Sequence, residues 1–354
     1  MHTKIFTCVT PPSEMPASMN KLKRLVQVAA NAYWEYKPAW TPRRLTTALG
    51  DIEIDRPIFI VGVQGGGLTL LARMIHRKKN IVTIGGGRRF WVGNNEMDKQ
   101  YIGQLPEDFT LRSPEYQSPT FKRHMTRDEY DHPVFGTSRN WTYACDDLLD
   151  RYRKTEADWT PEKEKALKQA IKESIRAYAD SYDEARFLDM SQTFALKIPL
   201  LRKIFPGARF IVQTRNPYAV CLKEAQDESY PWRREADRET KLQIFAEHWA
   251  NTYRYALQDL DDDGRDTVIK FEKLVRASEE TLRAVLDVAD LTYEEDLLPR
   301  EHHTFPLGAS EQHKWFPIRS GGNQKYLDRL GPKARDIIES NVGSIANRLG
   351  YRSA

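Results

Sequence analysis

The run Pro57-Ile58-Phe59-Ile60-Val61-Gly62-Val63-Gln64-Gly65-Gly66-Gly67-Leu68-Thr69-Leu70 holds the densest chemistry in the chain. An apolar stretch suited to a buried strand enters a turn of three glycines and leaves as an amphipathic helix. Glycines let the backbone turn sharply and aim successive N–H groups at an anion, and the helix N-terminus adds partial positive charge. The chemistry this suggests is phosphate binding. Gly62 and Gly67 have the Gly-x4-Gly spacing of a nucleoside-triphosphate loop, but Leu68 stands where that loop keeps its lysine, followed by Thr69. A leucine cannot clamp a γ-phosphate. Nor is this a dinucleotide fingerprint, because position 64 is Gln rather than Gly. Taken alone, such a turn is also compatible with a tight strand-to-helix connection.

A second segment narrows the chemistry. Leu196-Lys197-Ile198-Pro199-Leu200 leads into Phe205-Pro206-Gly207-Ala208-Arg209-Phe210-Ile211-Val212-Gln213-Thr214-Arg215-Asn216-Pro217. With the glycine turn, this resembles the sulfotransferases that use 3′-phosphoadenosine 5′-phosphosulfate (PAPS). In that family a Phe-Pro-x-Ala-Arg/Lys-Phe-Ile run reaches an Arg-Asn/Asp-Pro that holds the 3′-phosphate, and the glycine turn is the 5′-phosphosulfate loop. Three more stretches are similar to family motifs: Val268-Ile269-Lys270-Phe271-Glu272-Lys273-Leu274, Arg319-Ser320-Gly321-Gly322-Asn323 and Leu349-Gly350-Tyr351. The resemblance spans about residues 56–351, except for 85–185.

The resemblance implies sulfonyl transfer from PAPS to an acceptor hydroxyl or amine, releasing adenosine 3′,5′-bisphosphate (PAP). Backbone donors of Gly65, Gly66, Gly67, Leu68, Thr69 and Leu70 would stabilise charge on the leaving phosphate. The family carries Lys or Arg where this chain has Gly65, and Thr where it has Leu68; Met190 also stands where a third-strand basic residue is common. Gly65→Lys is the corresponding test, with higher turnover expected if the missing cation limits the rate. Lys197 is the candidate replacement, with Arg88 and Arg89 as further cations. Arg215 would grip the 3′-phosphate with bidentate geometry, helped by Lys223 eight residues on and by Arg319 with Gly321 and Gly322. Phe271 is a candidate for stacking on adenine. Glu96 is the candidate general base, with His124 and His132 as alternatives. No metal is required, since the moving sulfonyl group carries less charge than a phosphoryl group. Two other readings stay open: a degenerate relative that binds a nucleotide or partner without catalysis, and a kinase-like phosphate-loop enzyme.

Positioning these residues calls for strands alternating with helices: a three-layer α/β fold in which a parallel sheet is covered on both faces and ligand sits at the strands' carboxyl ends. The resemblance implies the sulfotransferase variant of the phosphate-loop NTPase fold. Strands are predicted at 57–63, 81–84, 187–190, 210–212 and 267–270, and helices at 67–78, from Pro161, from Pro217 and at 237–260. Residues 1–55 read as a helical extension, with an amphipathic packing or dimer helix over 20–40, and 56–354 as the α/β domain. The aromatic insert at about 85–160 is placed over the acceptor as a lid. Its rings suit a small-molecule acceptor, with a carbohydrate or glycolipid hydroxyl favoured.

Bulk properties fit that class. The 354 residues carry a formal net charge of +4, which excludes wholesale nucleic-acid binding but allows a local anion site. Three cysteines are too few for a disulfide framework, and no Cys/His cluster has zinc-ligand spacing. His302, His303 and His313 read as solvated, and Asp261-Asp262-Asp263-Gly264 as a solvated turn rather than a metal site. No window approaches the length of a spanning helix, so no integral membrane segment and a cytoplasmic location are expected.

Overall fold

A strand buried on both faces needs a covering layer on each side, and β1 (Asp55–Val61) is buried from Pro57 to Val61. Phe59 and Val61 enter one apolar cluster, while Ile58 and Ile60 enter another. A computed structural model describes residues 46–84, 86–87, 97, 142–228, 231–300 and 317–351. After β1 come α1 (Leu68–His76), β2 (Ile81–Thr83), β3 (Gly86–Gly87), α2 (Asp146–Tyr152), α3 (Pro161–Tyr178), β4 (Arg186–Asp189), α4 (Ile198–Ile204), β5 (Arg209–Thr214), α5 (Pro217–Ala225), α6 (Pro231–Glu235) and α7 (Arg238–Asp259). Then follow β6 (Asp266–Lys270), α8 (Phe271–Arg276), α9 (Ser278–Val288), α10 (Gln324–Leu327) and α11 (Pro332–Arg348).

The sheet runs β3-β2-β4-β1-β5-β6. All neighbours are parallel except the short β2–β3 pair at the edge. Helices α3, α4, α5, α7 and α11 cover one face through residues such as Ile171, Leu201, Cys221, Trp249 and Ile338. Helices α1 and α9 cover the other through Leu71, Met74, Leu282 and Val285. This is the three-layer arrangement expected for the fold class.

Element order also fixes where a ligand can bind. From β1 the chain crosses by α1 to β2 on one side, and from β5 it crosses to β6 on the other. The crevice between the carboxyl ends of β1 and β5 is therefore the topological switch point, the usual ligand position in such sheets.

Several boundaries differ from those read in the sequence. Strand β1 starts two residues early and ends at Val61, with a register shift between Asp55 and Ile58. Pro57 has no N–H for the ladder, and Arg56 takes φ 36°, so the strand kinks there. Thr160 caps α3 as predicted, accepting from the Lys163 amide at 3.2 Å. The domain core begins before residue 55, because Ile52 is fully buried in the larger cluster. The end of the expected lid also belongs to the core: Tyr143, Ala144 and Leu148 are buried, and Asn251 of α7 donates to the Ala144 carbonyl at 2.8 Å. The predicted helix over 20–40 lies outside the described residues. No described helix is long and apolar enough to cross a membrane.

One buried group ties this core to pH. His76 closes α1, and burial pushes its imidazole pKa down to about 4. An unfolded chain accepts the proton at about pH 6.5. Between those values only the unfolded state gains it, so stability falls as pH drops through that window, by about 3 kcal/mol at about 1.4 kcal/mol per unit. Urea unfolding at pH 7 and pH 4 should show this decline, and His76→Gln should flatten that share of it.

Candidate active site

The glycine turn sits at the end of β1. The Gly66 amide turns back onto the Val63 carbonyl at 3.0 Å, and the Leu70 amide onto Gly67 at 3.1 Å. Those two N–H groups are occupied within the loop. The N–H groups of Gly65, Gly67, Leu68 and Thr69 meet no acceptor among the described residues, as the open first turn of a helix requires. Gln213 Nε2 donates to the Gly66 carbonyl at 2.8 Å. Because that peptide is planar and trans, pinning its oxygen aims the Gly67 N–H the opposite way. Tyr253 braces the same region by donating to the Gln213 carbonyl at 2.8 Å. Burial raises the pKa of its hydroxyl, which therefore stays protonated as a donor.

Gly67 takes φ +86°, and a Cβ there would lie 2.4 Å from Phe271 Cδ2. No larger residue fits. The Phe271 ring is thus part of the loop's wall, and the Arg215 guanidinium lies over it at 4.4 Å from the ring centroid.

Arg215 follows the last residue of β5 and is held on several sides. Its Nη1 donates to the Gly65 carbonyl at 2.7 Å and its Nε to Asn323 Oδ1 at 2.8 Å. Trp249 Nε1 donates to its carbonyl at 3.1 Å. Burial lowers its pKa below the ordinary arginine value, and the Glu272 carboxylate works against that shift. Nη2 makes no hydrogen bond to the described residues and lies 3.8 Å from the Cβ position of Gly322. A buried cation with an unspent pair of donors is suited to a bidentate anion.

Glu272 organises this end of the crevice. Its carboxylate accepts from the Asn216 amide at 2.8 Å, from Asn323 Nδ2 at 2.6 Å and from the Tyr351 hydroxyl at 3.0 Å. Tyr351 and Thr214 hydroxyls are 2.9 Å apart. The β5 end, the β6 end, the 319–323 loop and the closing tyrosine converge here, although they are far apart in sequence. Arg319 and Gly321 are exposed beside this network, and Gly322 borders Arg215 directly.

Lys223 comes from α5. Its ammonium pairs with Glu224 at 2.5 Å and lies 3.3 Å from the Cβ position of Gly65. Lys197, by contrast, is buried, with Nζ 3.4 Å from Thr193 Oγ1 and 5.7 Å from the Phe194 ring centroid. Leu68 contributes its backbone only, since its side chain is buried in the smaller face of the core. Met190 is buried there too. Glu96, His124, His132, Arg88, Arg89, His302, His303 and His313 lie outside the described residues. Cys145, Asp147 and Glu247 bring ligand atoms within 4.8 Å of one another. One Glu247 oxygen already accepts from the Asp146 amide at 2.6 Å, and nothing there calls for an ion.

Sequence reading missed Gln213, Tyr253, Asn323, Glu224 and Arg233 as parts of this site. For Gln213 a signal was available: a polar residue between Val212 and Thr214 in a strand otherwise buried on both faces. The expectation for Gly65→Lys also changes. At φ +75° a Cβ would lie 2.6 Å from Glu224 Oε1, so lysine there should cost about 2 kcal/mol of stability. Turnover should fall at least about tenfold, because displacing a positioned loop costs rate. Thermal melts and steady-state rates on the variant check both.

Comparison with known proteins gives the same assignment. A family model described as "Sulfotransferase family" matches residues 57–295, more than half of the chain, including the glycine loop, Arg215, Lys223 and Glu272. No curated protein matches. Among solved structures, the chain is similar to a sulfotransferase domain from the curacin biosynthetic pathway, at 14% identity and a TM-score of 0.44, covering 85% of this chain and 100% of that one. A sulfotransferase domain from the Synechococcus PCC 7002 olefin synthase is 16% identical with a TM-score of 0.45, covering 82% and 96%. Sulfotransferase STF9 from Mycobacterium avium is 12% identical with a TM-score of 0.46, covering 94% and 83%. On the family match over residues 57–295, the chain belongs to the sulfotransferase family.

Proposed function

We propose that this sulfotransferase takes its sulfonyl group from PAPS and delivers it to a hydroxyl of a small-molecule acceptor, with a carbohydrate or glycolipid favoured. The observation that carries the donor assignment is the bond from Arg215 Nη1 to the Gly65 carbonyl. The guanidinium and the phosphate loop form one continuous site, so a single nucleotide with phosphates at both ends of its ribose can meet both.

In this reading the free N–H groups of Gly65, Gly67, Leu68 and Thr69 receive the 5′-phosphosulfate. As the acceptor oxygen bonds to sulfur, the bond from sulfur to the bridging oxygen breaks and its electron pair stays on the phosphate. Donors fixed before the reaction stabilise that charge without reorganising. Arg215 Nη2, Gly322 and Arg319 hold the 3′-phosphate, which separates PAPS from ordinary nucleotides. Glu96, on the resemblance, takes the acceptor proton.

The absence of a cation at Gly65 also favours a second reading, a relative that binds the nucleotide without catalysis. Incubation with PAPS and a panel of sugar, glycolipid and phenolic alcohols, reading PAP release and sulfated product together, decides between them. Product with stoichiometric PAP is expected. PAP binding without any PAPS consumption across the panel would leave only the binding role.

A further inference from the structure

Nothing between Gln64 and Thr69 carries a positive charge, yet the bridging oxygen of a departing phosphate gains charge beside that loop. The space a side chain at position 65 would fill is already occupied. A Cβ on Gly65 would lie 2.6 Å from Glu224 Oε1 and 3.3 Å from Lys223 Nζ, both from α5. The glycine and the lysine are therefore complementary: one vacates the space that the other enters from a different element.

Lys223 is held there. Its ammonium pairs with Glu224 at 2.5 Å, and Glu224 is itself almost wholly buried and lies 3.3 Å from Arg233 Nη1. Arg233 is fully buried, pairs with Asp227 at 2.5 Å and lies over the Phe245 ring at 4.8 Å. A buried carboxylate against a phosphate loop would repel the ligand unless it were neutralised, and two cations neutralise it. Of those two cations only Lys223 opens outward, with its side chain 38% exposed, whereas Arg233 is fully buried. Meanwhile Arg215 takes the other side of the same residue through the Gly65 carbonyl. Arg215 and Lys223 flank Gly65 from different directions, Arg215 bonded to Asn323 on one side and Lys223 reaching the glycine turn from α5 on the other.

We infer that Lys223 is a catalytic residue that supplies the loop's missing cation, its ammonium donating to the bridging oxygen of the leaving 5′-phosphate rather than to the 3′-phosphate. This rests on the PAPS reading above. In the transfer, the acceptor oxygen bonds to sulfur and gives up its proton to a base or water. The bond from sulfur to the bridging oxygen breaks, and Lys223 stabilises the electron pair left on that oxygen. Glu224 and Arg233 are positioning residues, because they act through Lys223.

Titration of the full chain with adenosine 5′-monophosphate, adenosine 3′-monophosphate and PAP tests the assignment. Lys223→Gln should weaken the 5′-monophosphate and PAP by the same factor, about tenfold to a hundredfold for a lost charged hydrogen bond. The 3′-monophosphate should stay within about twofold, since it lacks the contacted phosphate. Lys223→Arg should recover most of that loss. PAPS consumption by Lys223→Gln at saturating donor should slow by about a hundredfold to a thousandfold, as for loss of one preorganised donor. Weakening confined to the 3′-monophosphate and PAP would overturn the inference and return Lys223 to the 3′-phosphate. Unchanged affinities with unchanged turnover would overturn it as well. If the wild type binds PAP no better than the 5′-monophosphate, the nucleotide reading itself fails, which is a different result from either.

Discussion

Arg215→Ala should weaken binding of PAP by about two to three orders of magnitude, the loss expected when one partner of a buried, hydrogen-bonded charge pair is truncated. The wild-type guanidinium needs no rearrangement to receive a phosphate. Asn323, the Gly65 carbonyl and the Phe271 ring already fix it, and Nη2 remains open towards Gly322. AMP, with no 3′-phosphate, should lose about tenfold at most, and only because the Gly65 carbonyl loses a hydrogen-bond donor. Arg215→Lys should fall between, since an ammonium keeps the charge but not the planar fork. Isothermal titration of the three proteins with both ligands gives the comparison. Equal losses for PAP and AMP in Arg215→Ala would mean that the residue only braces the loop.

Gly67→Ala is expected to be nearly as damaging by a different route. The alanine methyl would sit 2.4 Å from Phe271 Cδ2 on a backbone at φ +86°. Left-handed strain costs about 1–2 kcal/mol and overpacking about 1–3 kcal/mol. The ring or the loop must move, and a displacement near 1 Å in a reacting geometry costs about a hundredfold in rate. Phe271→Ala in the same chain should relieve the clash but not the strain. The double variant should therefore regain stability while Arg215 loses the ring beneath it. Melting temperatures and turnover of the single and double variants check this; a Gly67→Ala protein with full activity would show that the loop tolerates the shift.

How much of this was legible in the sequence depended on whether the signal was local. The loop was legible because three glycines between an apolar run and an amphipathic helix leave few alternatives, and Asn216-Pro217 announced its helix by the side chain that accepts from the Ala219 amide at 3.1 Å. Lys223 could be nominated, but not its direction. Glu224 and Arg233 look like surface charges when read along the chain, and only the break between α5 and α6 brings them together out of water. Glu272 stood in a recognised motif, yet its three donors come from residues 216, 323 and 351, contacts that periodicity cannot reveal. The end of β1 was misplaced because an apolar Val63 extends the pattern past Gly62. The strand ends at Val61, and β5 crowds the next residue so closely that only glycine fits: a Cβ on Gly62 would lie 2.4 Å from the Gln213 carbonyl oxygen.

The central claim is that one nucleotide is gripped at both ends by the residue 65–69 amides and by Arg215. Calorimetric titration of the unmodified protein with PAP and with AMP tests it most directly. The account predicts that PAP binds at least about a hundredfold more tightly, the increment expected of a buried bidentate phosphate contact of about 3 kcal/mol. Equal affinity for the two ligands would contradict it.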